Sequence, residues 1–367
     1  MYQDAFVPAK GIYLLNHSVG RMPHSTREHT EKHFFEAWER GQPDAWSLWL
    51  EGLAEFKNAL AELFNGEASH FCPQTNISSV VTKTLYALPP KPGKNVILIS
   101  ENDFPSVGFA IQQAERQGYR IRFLPAEADV QQLDTWDDAL TDDVHTVLIT
   151  HVHFNTSKLI PVGAITQLCR LRDITSIVDI AQSSGIVPID LQQWQADIVV
   201  GSCVKWLCGG PGAGFIWVDP QVVTTLEPLD VGWFSHQNPM EFDIHHFQYA
   251  DDTSRFWGGT PSVLPYVVAS NSINLIHKIG VKTIRAHNQT LTQALIDSID
   301  PGCVVTPTDA KARGGTLVLK FPNQDQVQEA LNEAGVLFDV RPLGLRLSPH
   351  IYNTHAEIET VISCLPH

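Results

Sequence analysis

The sequence predicts an α/β protein: a large domain on a mostly parallel sheet, then a small C-terminal α+β domain. Three observations carry this. Residues 174–180 and 196–200 are runs rich in Ile and Val with little alternation, the pattern of strands buried on both faces of a parallel sheet. Stretches such as NVILISENDFPSVGFAIQQAERQGY read as strand, loop, helix. With 367 residues, 43% of them hydrophobic, the chain can fill a sizeable core and hold one large and one smaller domain. We place an N-terminal segment at 1–23, the large domain at 24–260, linking helices at 261–300 and the small domain at 301–367, which also packs the N-terminal segment.

Taken in order, GIYLL is strand-like, and Asn16, His17, Ser18, Gly20 and Pro23 after it signal a turn. Residues 24–66 are helical in pattern and rich in Trp, Phe and Leu. In FCPQTNISSVVTKTLYALPP, Thr75 and Asn76 open a helix that Pro89 and Pro90 stop. A helix start offers unpaired N–H groups and suits a phosphate, although these residues also make an ordinary N-cap. RIRFLPA and DDVHTVLIT give two further strands. Residues 163–172 form an amphipathic helix leading into the run that ends at Asp179, and a long helical stretch covers 262–299. The end of the chain reads as strands CVVTP, GTLVLKF and DVRPLGLRLSP, with helices around DQVQEALNEAG and HAEIETVISCL.

Composition excludes some classes. The formal net charge is −15 with no long basic run, which argues against nucleic acid or an anionic membrane as partner. No apolar stretch is long enough to span a bilayer, and MYQDAFVPAKG lacks a signal peptide's basic head and apolar middle. The six cysteines are scattered without a CxxC and read as reduced thiols of a cytoplasmic protein. Of sixteen histidines, His151 with His153 and His245 with His246 lack an obvious third ligand, so no metal site is expected.

The chemistry lies between Asp179 and Lys205. Each falls just past an apolar run, where open α/β sheets bind ligands. A buried carboxylate or ammonium needs a partner. Pyridoxal phosphate (PLP) uses such a pair: it forms a Schiff base with a lysine and takes a carboxylate beside its pyridinium nitrogen. The carboxylate keeps the ring protonated, and the lysine, with a depressed pKa, serves part of the cycle as a neutral amine.

The motif D-x-A-x-S-x-G, a strand, then S-x-x-K-W-L-x-G-G-P-G-A-G-F resembles the class V branch of the fold-type I PLP enzymes. Within it the chain is most similar to kynureninases, with isopenicillin N epimerase-like proteins and cysteine desulfurases further off. The resemblance implies a fold-type I PLP-dependent transferase fold, PLP on Lys205 and a homodimer with shared active sites. It places Gln74 and Thr75 at the PLP phosphate and Phe104 of Phe104-Pro105-Ser106 on the PLP ring, where a core phenylalanine is the competing account. It places Asn155 near the ring hydroxyl, Ala181, Gln182 and Ser202 around the cofactor, and Thr260 in a loop that reaches the neighbouring subunit's phosphate. For the substrate it implies Arg346, in R-L-S-P, as the carboxylate-holding fork, the alternative being a strand arginine paired to a protein carboxylate. Trp233 and His236 of G-W-F-x-H would border the substrate, and His17 would lie near the site.

Three positions depart from the family pattern. Gln182 stands where many relatives have histidine, Val204 where kynureninases have tyrosine, and Val107 where an aspartate is usual. The resemblance implies an α-amino acid substrate and a lyase or hydrolase cleaving at the β or γ carbon through a quinonoid intermediate. An aminotransferase or epimerase is the alternative, and a non-catalytic PLP-fold protein the second. Desulfurase chemistry is weakened because the KARGGTLVLK region has no cysteine.

Overall fold

The computed structural model describes residues 2–41 and 44–366. Gln42 and Pro43, within the stretch expected to be helical, lie outside the described residues. Twelve strands occur among the described residues: β1 Ile12–Tyr13, β2 Phe71–Gln74, β3 Val96–Ser100, β4 Arg120–Leu124, β5 Val144–Thr150, β6 Thr175–Asp179, β7 Ile198–Ser202, β8 Gly214–Val218, β9 Leu317–Leu319, β10 Val336–Leu337, β11 Asp339–Arg341 and β12 Gly344–Leu347.

The large sheet has the order β2-β8-β7-β6-β5-β3-β4. Neighbours from β7 through β4 are parallel, while β8 runs antiparallel to both β7 and β2. The Ile/Val-rich strands β3 and β5 are buried along their whole length, and β7 up to Ser202 at its end, because helices cover both faces. Two apolar clusters result. One gathers Leu60, Val147, Val178 and Trp206, the other Val80, Ile99, Ile177 and Ile216. Residues 147 and 178 fall in one cluster and 148 and 177 in the other, as strand alternation requires.

A third cluster joins Leu14 to Leu291, Leu317, Leu345 and Ile358 beneath the sheet β11-β12-β9. The N-terminal segment is tied in here. Ile12 and Tyr13 pair in parallel with Val336 and Leu337, and Leu15 bridges to Ser348. The linking helices number two, Leu264–Ile279 and Val281–Asp297, separated by Gly280 at φ +88°. One expectation is corrected. CVVTP is no strand: Pro301–Cys303 is a 3-10 turn and Val304 makes a single bridge to Leu319.

Candidate active site

Strands β5, β6 and β7 end side by side, with Thr150 opposite Asp179 and Asp179 opposite Val200. Their carboxyl ends open into a cavity of about 200 Å³ lined by Thr150, Asp179, Ala181, Gln182, Ser202 and Lys205, with Phe104, Val107, Val152 and Phe154 as apolar wall and rim and Ser106 beside them. Asn76, Ile77 and Ser78 close one side.

Burial drives the Lys205 amine down to about 8, with Arg346 pushing the same way and the Asp179 carboxylate opposing. Burial pushes Asp179 up, against the Ala181 N–H, which donates to Oδ1 at 2.8 Å, and the nearby lysine. Ion pairs of the described lysines involve Lys83, Lys91 and Lys158, not Lys205. Its Nζ sits 5.7 Å from the centroid of the Phe104 ring. Phe104 is 46% exposed, which removes the core-phenylalanine account: its ring is open at the cavity rim, edge-on to Phe154 at 5.2 Å. The helix Ile77–Ala87 starts at the cavity. Asn76 caps it by accepting from Ser79 N at 2.9 Å, and the N–H groups of Ile77 and Ser78 fall in the first turn, where helices lack internal partners.

The loop carrying Lys205 is held from behind. Gly20 donates to Val204 O, and a Cβ on Gly20 would lie 2.1 Å from Lys205 O and 2.7 Å from Cys208 Sγ. His350 Nε2 donates to Trp206 O at 3.1 Å. Gln182 is engaged at both ends, donating to His17 O at 3.0 Å and accepting from Trp206 Nε1 at 3.4 Å. It therefore braces the N-terminal segment against the lysine loop. Val107 is buried among apolar neighbours.

Other residues singled out in the sequence lie elsewhere within one chain. Gln74 is buried and donates to Phe256 O at 2.9 Å, and Thr75 is exposed. With Thr260 they line a second cavity of about 550 Å³ that also holds Lys83 and Trp257, so it is Ile77 and Ser78 that offer N–H groups to the Lys205 cavity. The sequence did carry this signal, since helical N–H groups come free after the cap, not before it. Trp233 and His236 line a third cavity, of about 330 Å³, with Phe242 and Ile244. His236 is spent on its own loop, its Nε2 on His246 O and its Nδ1 on Asn238 N. Asn155 is not on the cavity wall; its amide donates to Asn102 Oδ1 at 3.4 Å.

Arg346 is buried, and its guanidinium is already engaged. Nε and Nη2 bind the two oxygens of Asp339 at 2.8 and 2.5 Å, and Nη1 donates to Phe154 O at 3.1 Å. His17 joins the same carboxylate through Nε2 at 2.9 Å. Burial pushes Asp339 up, but its bonds with His17 and Arg346 outweigh that and hold it well below the usual carboxylate range. Burial pushes His17 down, toward the neutral form, and its Nδ1 pairs with Ser348 Oγ at 2.6 Å, a hydroxyl that also donates to Leu14 O. Reading the sequence alone missed Asp339; its signal is the hairpin spacing D-x-R…R that sets it across from Arg346.

A buried lysine of lowered pKa, a carboxylate at the next strand end, an exposed aromatic ring and a free helix start, all on one cavity, fit PLP and define a PLP-dependent α/β enzyme. The class-V aminotransferase family model matches residues 12–361, and the chain belongs to that family. Kynureninase of Pseudomonas fluorescens is 26% identical over 99% of this chain and 90% of its own length. An uncharacterized aminotransferase of Bacillus subtilis, YcbU, is 24% identical over 86% of this chain and 84% of its own. Among solved structures, C-DES with its lysine replaced by alanine and glycine covalently linked to PLP superposes at a TM-score of 0.86. It is 19% identical and covers 97% of this chain and 96% of its own. An apo cysteine desulfurase of Thermococcus onnurineus NA1 gives 0.84 at 18% identity, covering 96% and 93%.

Proposed function

We propose that the protein cleaves a bond at the β or γ carbon of an α-amino acid, as a kynureninase-like lyase or hydrolase. The observation that carries this is Lys205 and Asp179 lining one cavity at adjoining strand ends, in a chain that aligns with a kynureninase over nearly its whole length. PLP, when bound, supplies an electron sink conjugated to the substrate's α-carbon. Lys205 would hold it through its amine, Asp179 would face its ring nitrogen, Phe104 and Ala181 would border the ring, and the N–H groups of Ile77 and Ser78 would receive the phosphate.

The chain's own residues supply the rest. Lys205, poised at about 8, can take and return the α-proton near neutral pH. Arg346 orients the substrate carboxylate. Val107, Val152 and Phe154 keep water from the reacting centre. The test is incubation of the PLP-loaded enzyme with L-kynurenine and a panel of amino acids. Release of alanine from kynurenine supports this reading; stoichiometric pyridoxamine phosphate with a keto acid overturns it in favour of an aminotransferase. That second reading is favoured by Gln182, which has no titratable proton and is fixed as a brace, and by the likeness to YcbU.

The active unit in this reading is a cytoplasmic homodimer with shared sites. Support comes from the loop around Thr260 on its own open cavity and from the exposed Leu229, Met240, Phe242 and Ile244. Among the described residues, no helix is long and apolar enough to cross a membrane.

A further inference from the structure

We propose that Asp339 is the positioning residue for substrate-carboxylate recognition: it grips one edge of the Arg346 guanidinium and leaves the remaining N–H groups for the incoming carboxylate. This rests on the reading of Arg346 as the carboxylate seat.

A guanidinium has five N–H groups. Asp339 takes two, at Nε and Nη2, and Phe154 O takes one, at Nη1. Two remain. Phe154 lines the Lys205 cavity, so the bond to its carbonyl anchors the fork at that wall. An Arg346 without Asp339 would keep only one fixed contact, and its long side chain would sample several rotamers.

The opposite account is that Asp339 fills the carboxylate seat and must leave before substrate binds. The geometry opposes it. Asp339 stands directly across from Arg346 in the β11–β12 hairpin, so the backbone register holds it there. Three side chains hold its oxygens: His17 through Nε2 at 2.9 Å, Arg341 through Nη2 at 3.1 Å, and Arg346 itself through two bonds. Charge points the same way. Two guanidiniums surround one carboxylate, and His17 is neutral, so the cluster keeps one positive charge for a second anion.

The experiment uses two carbonyl reagents that attack lysine-bound PLP whatever the natural substrate: aminooxyacetate, which carries a carboxylate, and O-methylhydroxylamine, which does not. The ratio of their second-order rates with the PLP-loaded enzyme reads carboxylate recognition alone. We expect a ratio of about 10–100 for the native protein, matching one charge-assisted pair. Asp339→Asn should lower it about tenfold while the O-methylhydroxylamine rate stays the same. An unchanged ratio would make Asp339 a purely structural partner, and a raised ratio would make it a competitor for the seat; either result overturns the proposal. Arg346→Gln should bring the ratio close to one. If it does not, Arg346 is not the seat, a failure distinct from that of Asp339 and one that removes the proposal with it. Should Asp339→Asn not fold, Asp339→Ser, which also lacks the carboxylate fork, carries the same expectation.

Discussion

Lys205 is useful because it is buried. An exposed lysine stays protonated near neutrality, whereas here half the amine is neutral at about pH 8. Capture of PLP by the cofactor-free protein should therefore speed up about tenfold between pH 7 and pH 9, followed as growth of the lysine-bound absorbance. Lys205→Ala should lose the lysine-bound absorbance, leaving no borohydride-fixed cofactor on the chain, and cost about 10³-fold or more in turnover. Asp103 shows the opposite effect of burial, which pushes its carboxyl up to about 7, against the N–H of Ser100. Its neighbour His153, 3.7 Å away, is pushed down to about 4 and gives no compensating charge at neutral pH. Between about pH 4 and pH 7 the folded chain keeps a proton on Asp103 that the unfolded chain has released, so this residue lowers stability as pH rises through that window. Asp103→Asn should raise the melting temperature by a few degrees at pH 8 and much less at pH 5.

At the scale of elements, the site depends on how the N-terminal segment and the lysine loop meet. Gly20 lets the two backbones touch, and any side chain there collides with Lys205 O. Gly20→Ala should cost about 1–3 kcal/mol in urea unfolding, as overpacking does. It should also weaken PLP retention, since the displaced atom belongs to the lysine residue itself. The hairpin β11–β12 does a comparable job for Arg346: cross-strand register delivers Asp339 to its guanidinium with no help from neighbours in sequence. Residues 339 and 346 face each other only once the β11–β12 hairpin closes, and Pro342-Leu343 between the strands is not an Asn-Gly type of turn signal, which is why the pair escaped a linear reading.

At the scale of the molecule, the cavity of one chain leaves out residues the family pattern would include. Thr75 and Thr260 share a cavity of their own, and Trp233 and His236 another. If two chains share sites, Lys205→Ala and Thr260→Asp chains, each inactive alone, should regain about a quarter of the native sites when mixed and reassociated. No recovery, with a monomer by light scattering, would rule out the shared-site dimer.

The order of strands and helices, the burial of the central strands and the meeting of Lys205 and Asp179 at one cavity could be read from the chain alone. Each depends on residues close in sequence: an unalternated Ile/Val run, the acid that ends it, and a lysine shortly after the next run. The cap at Asn76 was legible as well; within one chain it is Ile77 and Ser78, after the cap, that line the Lys205 cavity, while Gln74 and Thr75 line another. Tertiary structure alone decided which groups far apart in the sequence meet. It set Gln182 between His17 and Trp206, and Gly20 against the lysine loop. Local sequence encodes periodicity and turn chemistry, but a contact between strands follows from register and packing, which exist only once the chain has closed on itself.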